Sequence, residues 1–480
     1  MAKKPEDRYQ SVDEMRAALF ALSNELTMPP GKRADTVDTM LSLGSNIKLV
    51  SRRNPLRWII LSIIAGFAGV LAIFAFLNFG NSPKNLIIPA DKTNPIKIGI
   101  LHSFTGSMSD SEQIIVDAYK LAIQEINAKG GVMGRAIEPV RMDGESKDEV
   151  FAERARELVA DKEICTIFGC CTSGSRKAVQ EVVEQNNHLL VYSVNTEGVE
   201  TSPNIIYLGG DANQTIIPFI KWAYAWGGKR TYFLVGSDYI FPHVVNEMVK
   251  DRIENLGATL LGEEYISLDA TDVSDVLDKI ESTKPDAIIN MISGDAQIAF
   301  LRGLQKRKIK VTQFATGIGE EVLRKVSYNP LVDNYSCCTY FQSLPSEENE
   351  QFVKDFKQAY GDYRVVISSM EVGYVALHMW AQAVEEAQSL EPLKIRDAML
   401  KQEYNGPSGL VSIDHETQYS IRNAYIGLAN EEGQFEVVYS STGRVKPDPY
   451  PDDRTQQDWD NLLLDLYRGW GDAWTAPPAE

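Results

Sequence analysis

The residues best able to do chemistry in this chain are two pairs of adjacent cysteines, Cys170–Cys171 and Cys337–Cys338, and the Thr172-Ser173-Gly174-Ser175 turn that follows the first pair. A thiol or serine hydroxyl becomes a nucleophile only beside a base that takes its proton. The 5 histidines, His102, His188, His243, His378 and His415, are scattered, and none falls in an HExxH or HxxxH spacing. The cysteines lack the CxxC spacing of a zinc site, and neighbours on a strand point to opposite faces and fill space. With Cys165 there are 5 in all, too few and too irregular for a disulfide framework. No GxSxG or Walker string occurs, and TGIGEE (Thr316–Glu321) carries only two glycines of a dinucleotide fingerprint. The pattern argues for no catalytic residue, no metal and no cofactor, which leaves binding as the chemistry to look for.

Binding residues in an open α/β sheet lie beyond the carboxyl ends of the strands. The loops there read His102-Ser103-Phe104-Thr105-Gly106-Ser107, Cys171-Thr172-Ser173-Gly174-Ser175, Asn195-Thr196-Glu197-Gly198, Tyr239-Ile240-Phe241-Pro242 and Gly294-Asp295. Ser173 and Ser175 open a helix whose first N–H groups lack internal partners, a place for a carbonyl or carboxylate oxygen. The alternative is that Ser173 caps that helix. Tyr192, Tyr239 and Phe241 are candidates to wall a small pocket or to fill the core. Asp295 is a candidate for ligand contact or for a helix cap. The candidate ligand-binding set is therefore Thr172, Ser173, Tyr192, Asn195, Tyr239, Phe241, Gly294 and Asp295.

These loops need strands and helices to hold them. From Pro95, apolar strands alternate with amphipathic helices: PIKIGILHS then SEQIIVDAYKLAIQEINAKGG, CTIFGC then SGSRKAVQEVVEQNN, RTYFLVGSD then FPHVVNEMVKDRIENLG. Alternation of this length predicts right-handed βαβ crossovers and mainly parallel sheets covered on both faces. Some dozen units exceed one sheet, so two α/β lobes are expected. GLVSID and NAYIGLANEEGQFEVVYS predict an antiparallel finish, and the acidic, Trp-rich tail 451–480 is either a docked helix or a loose end.

Upstream, WIILSIIAGFAGVLAIFAFL (Trp58–Leu77) holds no charge. Twenty helical residues at about 1.5 Å each match a bilayer core of about 30 Å. Lys48, Arg52, Arg53 and Arg57 crowd its N-terminal side. That bias predicts a single-pass helix over 58–79 in a bacterial cytoplasmic membrane, with 1–57 cytoplasmic and the rest outside. Residues 1–57 carry a net charge of +3, leaving −21 of the total −18 for the remainder. So acidic an exterior argues against nucleic acid.

Residues 95–450 resemble the type I periplasmic solute-binding proteins, in particular the branch that binds urea and short-chain amides. The resemblance rests on IKIGILHSFTGSMSDSE, INAKGGVMGRAIEPV, FGCCTSGSRKAV, NTEGVETSPNIIYLGGDANQ, FLVGSDYIFP, TYFQSLPSEENEQFVKDF, YNGPSGLVSID and KPDPYP. It implies two hinged lobes closing over a small ligand, lobe 1 over about 95–213 and 341–400 and lobe 2 over about 214–340 and 401–450. It also implies ligand contacts at Ser173, at Tyr192 and at Tyr239 or Phe241. Three neighbours depart from the branch: Cys171 stands where Trp or Tyr is usual, Ser193 replaces proline and Thr196 replaces tyrosine. These changes bear on whether the ligand is urea itself.

KKPEDRYQSVDEMRAAL (Lys3–Leu19) resembles the last helix of bacterial Ser/Thr protein kinases, with Arg8 as the arginine that pairs with an activation-segment glutamate. The catalytic and nucleotide loops are absent, so this segment is not an enzyme. Segments 1–27, 28–57, 58–79 and 80–94 then read as kinase remnant, linker, membrane span and tether. The expected whole is a membrane-anchored sensor for urea, a short amide or an amino acid, derived from a receptor kinase. The alternative is the tethered substrate-binding component of an ABC transporter. A second copy of the chain, a kinase or a permease are the candidate protein partners.

Overall fold

The computed structural model of the protein describes residues 89–327 and 333–477. The kinase-like segment, the linker, the apolar segment and most of the tether lie outside the described residues. Among the described residues no helix is long and apolar enough to cross a membrane.

Strand β1 (Asp91–His102) runs through the PIKIGILH segment, where Ile96, Ile98 and Ile100 face one way and Leu101 the other, all buried. Helix α1 (Ser109–Ala128) presents Ile115, Ala118, Tyr119, Ala122 and Ile126 to β1 as an apolar stripe at helical spacing. It stops at Gly130 and Gly131, both at positive φ. A side chain on Gly131 would come within 2.0 Å of the Arg135 carbonyl oxygen, so no larger residue fits that close return. Then follow β2 (Arg135–Asp143), α2 (Asp148–Ala160), β3 (Ile164–Gly169), α3 (Ser173–Gln185), β4 (Leu190–Tyr192) and β5 (Ile205–Tyr207). These strands form an all-parallel sheet in the order β2-β1-β3-β4-β5.

The second lobe is built from α4 (Ala212–Thr215), α5 (Ile217–Ala225), β6 (Thr231–Ser237), α6 (Ile240–Asn255), β7 (Thr259–Ile266), α7 (Ser274–Thr283), β8 (Ala287–Met291), α8 (Asp295–Arg307), β9 (Thr312–Ala315), α9 (Glu320–Lys325) and β10 (Asn334–Cys338). The chain returns to the first lobe with α10 (Glu347–Tyr360), α11 (Ser368–Ala387) and α12 (Pro392–Met399). A small antiparallel sheet follows, β11 (Glu403–Gly406), β12 (Gly409–Ile413) and β13 (Ser420–Ile421). Strands β14 (Tyr425–Ala429) and β15 (Phe435–Ser440) then complete the second sheet in antiparallel fashion. Its order is β15-β14-β10-β9-β8-β6-β7.

The chain therefore crosses between lobes after β5, after β10 and after β13. The last crossing differs from the sequence expectation, which assigned 401–450 to lobe 2. Residues of β11–β13 go with lobe 1: Tyr419 bridges to Tyr207, and their rings stack with centroids 4.1 Å apart. The passage back to lobe 2 falls at Arg422–Ala424, where buried Arg422 bonds the Leu208 carbonyl and Glu371.

The tail is docked rather than loose. Helix α13 (Gln456–Gly469) begins with a capping box between Thr455 and Asp458. It buries Trp459 completely against the second lobe, while Arg454 grips Asp251 and Glu247 of α6.

Candidate ligand-binding cleft

Each sheet has one point where successive strands leave in opposite directions, β1 flanked by β2 and β3, and β6 flanked by β7 and β8. The loops at the carboxyl ends of these strands face one another across a cavity of about 160 Å³. A cavity of about 150 Å³ accepts a molecule the size of benzene, so this one suits a small solute.

The first-lobe wall comes from the turn after β3. Gly169 lies so close to β1 that a side chain would meet the Leu101 carbonyl oxygen at 2.3 Å. The cap of α3 is Thr172, whose hydroxyl accepts from the Ser175 N–H at 3.1 Å. Ser173, which the sequence left between cap and ligand contact, does not cap. Its buried hydroxyl donates to Glu197 at 2.5 Å and accepts from Arg176 at 2.9 Å, while the residue lines the cleft. Arg176 is fully buried and also bonds Glu200, which in turn holds Lys177 at 2.6 Å and the Tyr207 hydroxyl at 2.8 Å. Burial opposes ionisation of Glu200, but Arg176 and Lys177 hold its carboxyl well below the usual range.

Six of the eight expected residues line the cavity: Thr172, Ser173, Asn195, Tyr239, Phe241 and Gly294. The Asn195 side-chain oxygen accepts from the Gly210 N–H at 3.0 Å. Tyr239 and Phe241 flank the start of α6, and burial pushes the Tyr239 phenol above its ordinary pKa. Gly294, at φ +68°, opens the turn from β8. The other two are corrected. Tyr192 lies behind the wall, fully buried, its hydroxyl donating to the Cys171 carbonyl at 2.7 Å and its ring 4.9 Å from the Arg176 guanidinium. It braces the loop and does not line the cavity. Asp295 faces a separate surface groove with Asp272, Arg302 and Lys306, because the first turn of α8 rotates it away.

Sequence reasoning missed the chief charged feature. Glu320 and Glu321, following the Thr316–Gly319 turn after β9, both line the cleft. Burial pushes both carboxyls up to about 7. One Glu320 oxygen accepts from the Gln434 side chain at 2.5 Å, and Glu321 Oε2 is buried without a hydrogen-bond partner. The signal available was an acidic pair immediately after a glycine turn at a strand end. Among the described residues no lysine, arginine or histidine lines the cavity. Cys171 does line it, but burial raises its thiol well above the ordinary pKa, the opposite of an activated nucleophile. Ser173 donates to Glu197, which is itself ion-paired to Arg176 at 2.8 Å. Among the described residues no cluster of metal-ligating side chains occurs.

This two-lobed architecture with a solute-sized cleft is that of a periplasmic binding protein, and residues 96–456 match the periplasmic binding protein domain family. The chain belongs to that family. It is 19% identical over 376 residues to Leu/Ile/Val-binding protein homolog 7 of Brucella suis, covering 73% of this chain and 92% of that one. Its fold matches a Rhodopseudomonas palustris solute binding protein in complex with benzoate (TM-score 0.68, 17% identity, 74% and 98% of the two chains). It also matches a branched-chain amino acid transporter substrate binding protein of Streptococcus pneumoniae in complex with isoleucine (TM-score 0.64, 19% identity, 74% and 100%). A shorter match, 36% identical over 116 residues, is to a Geobacillus stearothermophilus protein named limonene hydroxylase, of whose length it spans 21%.

Proposed function

We propose that this protein binds a small neutral polar solute of the urea or short-chain amide class by closing its lobes over it. The observation that carries this reading is the cleft's charge. Among the described residues no cationic side chain lines it, and the two acidic ones that do, Glu320 and Glu321, ionise near pH 7. A carboxyl group poised there donates to a carbonyl oxygen when protonated and accepts from an N–H when ionised. An amide offers both groups. The Ser293, Gln297 and Thr316 side chains on the same wall add polar partners, and Ile292, Ile318 and Phe341 supply apolar surface for a short alkyl group. Closure follows only for a ligand with contacts to both walls, since one favouring neither form shifts nothing.

In this reading the binding domain is the extracytoplasmic part of a membrane-anchored sensor, with the charge-free segment 58–79 as its anchor and 1–57 in the cytoplasm. The kinase-like string Lys3–Leu19 supports a receptor-kinase ancestry. The second reading, a tethered substrate-binding component of a transporter, is favoured by the likeness to transporter-associated binding proteins.

Calorimetric titration of the full-length protein with urea, formamide, acetamide, isoleucine and benzoate tests the ligand class. Saturable heat for a neutral amide, absent for benzoate, is expected. Binding confined to the carboxylates would overturn the reading. Loss of amide uptake on deleting the protein from its host would favour transport over sensing.

A further inference from the structure

Beyond α13, residues 474–476 touch both lobes. On the second lobe they add a short antiparallel bridge to the residues that begin α6. The Ile240 N–H donates to the Trp474 carbonyl at 3.1 Å, and the Ala476 N–H donates to the Asp238 carbonyl at 3.0 Å. Thr475 thus pairs with Tyr239, a cleft-lining residue. On the first lobe the same three residues make two further contacts. The Thr475 hydroxyl donates to Asp148 Oδ2 at 2.9 Å, at the start of α2. The Trp474 ring lies 4.9 Å from the Lys177 ammonium.

Lys177 belongs to the buried ionic group that sets Ser173. It bonds Glu200, Glu200 bonds Arg176, and Arg176 bonds the Ser173 hydroxyl. The segment therefore touches the support of the cleft wall on each lobe, the Tyr239 backbone on one side and the Lys177 ion pair on the other. Separation of the lobes breaks the Asp148 and Lys177 contacts or peels the strap from Asp238–Ile240.

We propose that residues 474–476 act as a strap that positions Tyr239 against the first lobe and holds the two lobes together, so that this C-terminal segment sets the ligand affinity. Its base is fixed independently, since α13 is anchored by buried Trp459 and by the Arg454 ion pairs. The ring of Tyr467 on α13 packs on Trp474 with centroids 4.5 Å apart, which delivers the strap to its place. A hydrogen bond to a carboxylate together with a cation–π contact is worth about a factor of ten in the closed-to-open ratio. A ligand that binds the closed form loses apparent affinity in proportion to the fraction closed.

The test uses the full-length protein, ligand-free, with spin labels on cysteines introduced at exposed Glu153 of α2 and Glu254 of α6, and with Cys171 changed to alanine. Pulsed electron resonance reads the distance between lobes. A chain ended after Asp472 is expected to show a broader distribution reaching longer distances. Thr475→Val, which keeps the shape and removes only the hydroxyl donor, is expected to move part of the way. A truncated chain whose distribution superimposes on that of the intact protein overturns the proposal. Should truncation perturb folding, seen as a changed circular dichroism spectrum, the Thr475→Val distribution decides alone: unchanged, it refutes the strap. Acetamide titration of the same variants is expected to show up to about tenfold weaker binding. If acetamide binds none of them, including the intact protein, the amide reading fails while the distance measurement still judges the strap.

Discussion

Replacing Arg176 by methionine puts the buried ionic group of lobe 1 to the sharpest test. The guanidinium is fully buried and makes four hydrogen bonds, to Ser173, to Glu197 and two to Glu200. Arg176 and Lys177 together balance Glu197 and Glu200, so the group is neutral as a whole. Methionine fills much of the same volume but leaves Lys177 alone against two buried carboxylates. Removing one partner from a buried ion pair costs about 3–5 kcal/mol, because the stranded charge remains desolvated. Against a total stability of about 5–15 kcal/mol for a typical domain, that is a large share. At about 2.1 cal/mol/K per residue, a loss of 4 kcal/mol lowers the melting temperature of a domain this size by about 5 °C. A second substitution, Glu197→Gln, restores neutrality, and the double variant is expected to recover about 1–3 kcal/mol relative to Arg176→Met alone. Thermal unfolding followed by circular dichroism measures all three. If Arg176→Met shifts the midpoint by less than about 1 °C, or if Glu197→Gln makes it worse by its full single-variant effect, the charge-balance argument is wrong.

Three further outcomes are expected. The Glu320 and Glu321 carboxyls have an ordinary pKa of 4.5 and are raised to about 7 in the folded protein. The folded state thus binds the extra protons between those values, and stability falls as pH rises from about 4.5 through 7, by about 3 kcal/mol per group. Melting curves from pH 5 to 8 therefore decline for the native protein and flatten for Glu320→Gln/Glu321→Gln; parallel curves would refute this. Ser173 lines the cleft and its hydroxyl sits between Glu197 and Arg176, so Ser173→Ala weakens amide binding at a stability cost of about 1–2 kcal/mol. Calorimetry showing unchanged affinity would assign Ser173 to support alone. Trp459→Ala empties a fully buried site beneath α13 and costs about 3–5 kcal/mol, read by thermal melting, with faster proteolysis of the tail; a midpoint within 1 °C would mean the tail does not rest on it.

The alternation of PIKIGILH with the stripe of α1, and its repetition through β3–α3 and β6–α6, made the parallel two-lobed fold legible, because hydrophobic period and glycine stops are local properties. The same locality explains why six residues at strand ends that line the cavity were among the candidates. Ser173 was weighed as a cap, but Thr172 beside it takes that role, because Glu197 and Arg176 occupy the Ser173 hydroxyl. Tyr192 and Asp295 were misread because facing toward or away from a cleft depends on how a loop turns after its strand. Glu320 escaped notice because its surroundings include Gln434 and Phe435, more than a hundred residues further on, and burial there, not residue type, brings its carboxyl close to neutral pH. Residues 403–421 join the first lobe through the Tyr207–Tyr419 stack, and the tail reaches the first lobe through Thr475 and Asp148. Local pattern thus determined which elements form and in what order. Which of their ends meet, which charges are desolvated and which segment bridges the lobes depended on long-range packing, which no window of sequence contains.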